Sequence, residues 1–172
     1  YRTVDGHTVR WNALYRSGSL GNLQKSGMAR LSNMDIRAII DLRMTTERKR
    51  DQSNWLPIAG MGYWTRDYQL GGDEASLAQM FRDPSKLTAD SMRAMMTQGY
   101  RTMPKELAPQ YRRLFASLIA PEKGAVVLNC TAGKDRTGIC ATLLLLTLGV
   151  GEADIFLDHD HSNACNAERL QP

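Results

Sequence analysis

The chain has 172 residues, 42% hydrophobic and 23% charged, with a mean hydropathy of −0.39. One core can bury most of a chain this long, so a single domain over residues 1–172, open to truncation at either end, is expected. The composition excludes disorder and repeat architecture, and the longest apolar stretch, Ile139 to Val150, is too short to cross a bilayer.

A net charge of +4 favours an anionic ligand only mildly. Nucleic acid is disfavoured, because the single dense basic run, Arg48-Lys49-Arg50, has no interleaved aromatics and reads as a solvated helix face. Three cysteines, without Cys-x-x-Cys spacing, argue against a disulfide framework and a zinc site. They suit a reducing setting and a reactive thiolate. The chain begins at Tyr1, so the lack of a visible leader leaves cytoplasm and secretion both open for a soluble protein.

In chain order, Thr8 to Tyr15 reads as a strand running into a turn at Arg16-Ser17-Gly18. Leu20, Leu23, Met28 and Leu31 suggest a short helix broken near Gly27. Ile36 to Arg43 reads as a buried strand, followed by a helix capped by Thr45 or Thr46 with Glu47 in its first turn. Ile58 to Tyr68, with Gly60 and Gly62, reads as a second short strand pair or an extended segment. Helical spacing then recurs over Glu74 to Phe81, Thr88 to Met96 and Glu106 to Ile119, with Met92, Met95, Met96 and Met103 as core filling.

Ala125 to Leu128 is wholly apolar, as in a strand buried on both faces. The segment Asn129-Cys130-Thr131-Ala132-Gly133-Lys134-Asp135-Arg136-Thr137-Gly138 follows, and then an apolar helix, Ile139 to Leu148, ended by Gly149. Strand, compact loop and buried helix in this order build anion sites in α/β folds.

Cleaving a phosphate monoester requires a nucleophile to approach an already negative phosphorus centre. Amides circling the phosphate oxygens at a helix N-terminus offset that repulsion and favour a thiolate. Five residues separate Cys130 from Arg136, enough for a loop to circle one phosphate. Cys130 is therefore the candidate nucleophile, and Arg136 can fork two N–H groups onto phosphate oxygens. The backbone of Thr131, Ala132, Gly133, Lys134, Asp135 and Arg136 supplies the cradle. Gly133 permits a positive φ, and Thr137 can hydrogen-bond the Cys130 sulfur, making it a better leaving group. A buried structural cysteine is the competing reading; the agreement of strand, loop and helix goes against it.

Cys-Thr-Ala-Gly-Lys-Asp-Arg-Thr-Gly resembles the phosphate loop of the protein tyrosine phosphatase superfamily, in the form of the bacterial branch that includes the secreted mycobacterial tyrosine/lipid phosphatase. Arg16-Ser17-Gly18-Ser19-Leu20, the Asp41-Leu42-Arg43 segment with Glu47, and Asp158 to Asn163 are similar to other segments of that branch. The resemblance implies an α/β fold with a central, mostly parallel sheet flanked by helices, and no metal or organic cofactor. It also implies functional roles for Lys134 and Asp135. Phosphotyrosine substrates are implied, with phosphoserine, phosphothreonine and phosphoinositides sometimes accepted. Where the family usually has histidine, this chain has Asn129, so weaker activity or a less favoured thiolate is expected.

The leaving oxygen needs a proton. Asp135 in the loop is the first candidate acid, with Asp67 and Asp73 as alternatives. Asp158-His159-Asp160-His161 reads as a solvated helix end rather than a metal cluster, since successive helix positions do not converge and the pairs that share a face are His159 with Asn163 and Asp158 with Ser162. Asp41 and Arg43 read as a structural ion pair. Two rivals are a phosphate-binding pseudophosphatase and another thiolate enzyme, such as a sulfurtransferase or arsenate reductase. The loop's size and the lack of a nearby resolving cysteine disfavour the latter.

Overall fold

The computed structural model describes residues 1–21, 23–53, 61–70, 82 and 87–166. Four strands, β1 (Leu14–Ser17), β2 (Ile36–Asp41), β3 (Gly62–Trp64) and β4 (Ala125–Asn129), form one parallel sheet in the order β1-β4-β2-β3. The described helices are α1 (Lys25–Asn33), α2 (Thr45–Arg50), α3 (Ala89–Glu106), α4 (Ala108–Ile119), α5 (Asp135–Thr147) and α6 (Glu152–Asn166). A parallel sheet flanked by helices is the α/β architecture expected. None of the described helices is long and apolar enough to cross a membrane.

Every residue of β4 is buried, as its apolar run requires, and strand alternation divides it between two layers. Val126, Leu128 and Cys130 pack with Ile40, Leu42, Leu107, Tyr111, Leu114, Ile139 and Cys140 on one side. Val127 packs with Leu20, Leu31, Ile36 and Ile39 on the other. The register Ser17↔Asn129 and Asp41↔Asn129 brings three strand ends together where the loop begins.

Several element boundaries differ from the sequence reading. The first strand is Leu14–Ser17, so Arg16 and Ser17 are strand rather than turn residues. Gly27 lies inside α1 without breaking it. Thr45 and Thr46 are the first residues of α2; Glu47 Oε2 reaches back to accept from the Met44 amide at 2.7 Å. Thr88 caps α3, accepting from the Ser91 amide at 3.1 Å, and the helix runs beyond Met96 through Pro104 to Glu106. Pro104 lacks the N–H that would donate back to the Tyr100 carbonyl, so this last turn is held by one hydrogen bond fewer. Met103 packs against the core, whereas Met96 is 45% exposed rather than core filling. The helix read over Glu74 to Phe81 lies outside the described residues.

Candidate active site

The last strand of the sheet delivers Cys130, 2% exposed, to the start of a loop that turns directly into α5. α5 begins at Asp135, four residues earlier than the apolar run suggests, so Arg136 and Thr137 lie in its first turn. The loop's carbonyls are anchored from outside. Asn129 O accepts from the Leu42 amide at 2.7 Å, and Thr131 O accepts from the Ser19 amide at 3.0 Å. Gly133 O accepts from Arg16 Nη2 at 3.3 Å. In a trans peptide the C=O and N–H point opposite ways. These anchors therefore turn the amides of Ala132 and Lys134 away from the groups that hold the Thr131 and Gly133 carbonyls. The Gly133 amide donates to Cys130 Sγ at 3.2 Å.

Gly133 is required twice. Its φ is +70°, and a Cβ would stand 2.6 Å from the Ser17 carbonyl carbon.

Arg136 is held by Glu47, with Nη1 donating to Oε2 at 2.5 Å and Nη2 to Oε1 at 2.7 Å. Nη1 also donates to Leu42 O at 3.1 Å, and Nη2 to Thr131 Oγ1 at 3.3 Å. Thr131 Oγ1 in turn donates to Glu47 Oε1 at 2.5 Å. Nε has no partner among the described residues. The Nη2 contact to Thr131 is the longest of these. Burial pushes the Glu47 carboxyl up, but the Arg136 and Thr131 hydrogen bonds and the Arg136 charge outweigh it and hold it at about 2. Burial disfavours the Arg136 charge as well, and Glu47 and Cys130 more than restore it.

Asp135 Oδ1 accepts from Lys134 Nζ at 2.9 Å and from the Tyr100 hydroxyl, a residue of α3. Burial raises the Asp135 carboxyl, yet these two hydrogen bonds and the nearby Lys134 and His159 leave it below its usual range. Asp67, the alternative acid, lies on the segment after β3. Its side chain is 84% exposed and paired with Arg48 Nη2 at 2.5 Å. Asp73 lies outside the described residues. Thr137 is fully buried and its Oγ1 has no hydrogen-bond partner among the described residues, so the bond to Cys130 Sγ expected from the sequence is not formed; the Gly133 amide donates to the sulfur instead.

Asn129 points away from this chemistry. It is 1% exposed, and its Nδ2 donates to Asp41 Oδ1 at 3.1 Å. Asp41 also takes Arg43 Nη2 at 2.7 Å and the Tyr63 hydroxyl at 2.8 Å, so the Asp41–Arg43 pair is a buried structural network under the loop.

Sequence reasoning missed three supports. Glu47 reads in the sequence as a helix-start acid and as part of the Asp41-Leu42-Arg43 segment, with nothing to tie it to Arg136, 89 positions away. Arg16 joins the loop to α6 by donating to Asp158 and to Ser162 Oγ at 2.6 Å, so the segment read as a solvated helix end is anchored along one face. Tyr68 donates to the same Leu42 carbonyl that holds Arg136.

A model of the tyrosine phosphatase family matches residues 1–171. A candidate tyrosine-protein phosphatase of Cupriavidus necator is 32% identical over 165 residues, covering 95% of this chain and 58% of that protein. The tyrosine-protein phosphatase of Nostoc commune is 29% identical, covering 93% of this chain and 50% of its own length. The triple specificity protein phosphatase PtpB of Mycobacterium tuberculosis is 28% identical, covering 90% and 62%. The chain thus spans between half and two thirds of these relatives. A match along nearly the whole chain, with the cysteine loop and its arginine in place at the C-terminal end of the interior strand β4, assigns the protein to the tyrosine phosphatase family.

Proposed function

We propose that the chain hydrolyses phosphomonoesters through a phosphocysteine. Cys130 Sγ attacks phosphorus while the ester oxygen leaves with the Asp135 proton; water then breaks the S–P bond, giving a proton back to the Asp135 carboxylate and releasing inorganic phosphate. Arg136 and the loop amides carry the charge that builds on the transferred group. The observation that supports this best is the Gly133 amide on Cys130 Sγ, in a loop whose Asn129, Thr131 and Gly133 carbonyls are anchored elsewhere. An incoming dianion opposes the ionised form of Asp135, raising that carboxyl toward the protonated state an acid needs.

The substrate class is phosphotyrosine first, with phosphoserine, phosphothreonine and phosphoinositides to be compared in one panel. Asn129, whose donor goes to Asp41, is the observation that favours a phosphate-binding pseudophosphatase instead. Cys130→Ser separates the readings. It should abolish turnover of an aryl phosphate while vanadate still binds; a wild-type protein with no turnover on any member of the panel would support the pseudophosphatase.

A further inference from the structure

Tyr100 has no place in the loop motif, yet it reaches the loop from α3, 35 positions upstream of Asp135. Its hydroxyl and Lys134 Nζ converge on the same oxygen, Oδ1, while Oδ2 has no partner among the described residues. The two oxygens of this carboxyl are therefore not equivalent. An oxygen that accepts two hydrogen bonds cannot easily carry a proton as well, since the bound donors already occupy its lone-pair directions.

We infer that Tyr100 is a positioning residue for the proton transfer: with Lys134 it occupies Asp135 Oδ1, turning Oδ2 toward the reacting group as the oxygen that gives and later takes the proton. The inference rests on the reading of Asp135 as the acid. In the first step the O–H bond at Oδ2 breaks and the proton goes to the leaving ester oxygen; in the second a water proton arrives at Oδ2 while Oδ1 keeps both donors. Burial first, and then the bond to Asp135, push the Tyr100 phenol up, so it stays a donor throughout the working pH range. The ionisable groups facing the carboxylate are Lys134 beside it in the chain, Tyr100 from α3 and His159 from α6, which stands edge-on to the Tyr100 ring with centroids 6.1 Å apart.

The test compares kcat against pH for wild type, Tyr100→Phe and Asp135→Asn, with one activated and one poor aryl phosphate. Removing a donor to the carboxylate favours its protonated form. The basic limb in Tyr100→Phe should therefore move upward by about half a unit to one unit, the scale of a single hydrogen bond. The poor substrate should also lose several-fold more than the activated one, as the free carboxyl rotates. Phenylalanine keeps the ring beside His159; if that variant does not fold, Tyr100→Leu should give the same shift. A folded variant whose limb stays in place, while Asp135→Asn abolishes the limb and penalises the poor substrate, overturns the role of Tyr100 alone. Equal losses on both substrates in Asp135→Asn remove the acid assignment, and with it this inference.

Discussion

Replacing Glu47 by glutamine should destabilise the protein in a way that disappears in acid. The carboxylate lies 14% exposed, gripped by both terminal nitrogens of Arg136, and its pKa falls from an ordinary 4.5 to about 2. A drop of that size corresponds to roughly 3 kcal/mol of folding stability, similar to the ~3–5 kcal/mol lost when one partner of a buried pair is removed. Because the folded-state pKa is depressed, this stability is fully present above about pH 4.5 and is lost as pH falls toward 2. Urea unfolding of wild type and Glu47→Gln should therefore show a gap of about 3 kcal/mol at pH 7, shrinking steadily between pH 4.5 and the lowest pH at which both remain folded. Activity should fall too, by about a hundredfold in kcat/KM, since an unmoored Arg136 no longer presents Nε–H at a fixed position. A gap that does not change with pH would refute the reasoning, because it would place the cost in packing rather than in the ion pair.

Two further substitutions probe the loop itself. Gly133→Ala combines a φ of +70° with a Cβ 2.6 Å from Ser17; it should lower the melting temperature and cut kcat/KM by roughly a hundredfold as the loop shifts, and near-native kinetics would contradict the geometry. Asn129→His places an imidazole beside the Asp41 carboxylate, which favours its charged form; iodoacetamide should then alkylate Cys130 at lower pH, and an unchanged alkylation profile would show that residue 129 does not act on the sulfur.

What the sequence made legible was local. Cys130 to Arg136 is one continuous segment between an apolar strand and an apolar helix, so its chemistry and its place at a strand's C-terminal end follow from neighbouring residues alone. The apolar run marks α5 only from Ile139, because Asp135, Arg136, Thr137 and Gly138 carry no apolar periodicity; the acid that opens the first turn suits the helix dipole. Arg16 and Ser17 read as a turn because two polar residues before a glycine resemble one; Arg16 is a strand residue whose charge is met by Asp158, 142 positions away. Glu47 and Tyr100 meet the loop only through the fold, and no spacing rule reaches across 89 or 35 positions. Asp158 and Ser162 could be placed on one helix face from the sequence, but not opposite Arg16.

The central claim is that Cys130 becomes covalently phosphorylated, and rapid acid quench followed by peptide mass spectrometry tests it directly. Mixed with an aryl phosphate and quenched within the first turnover, wild type should yield the peptide containing Cys130 heavier by one phosphoryl group, with a burst of aryl alcohol equal to the sites modified. Cys130→Ser should give neither. Turnover without any phosphorylated Cys130 peptide, or a burst that survives Cys130→Ser, would contradict the account.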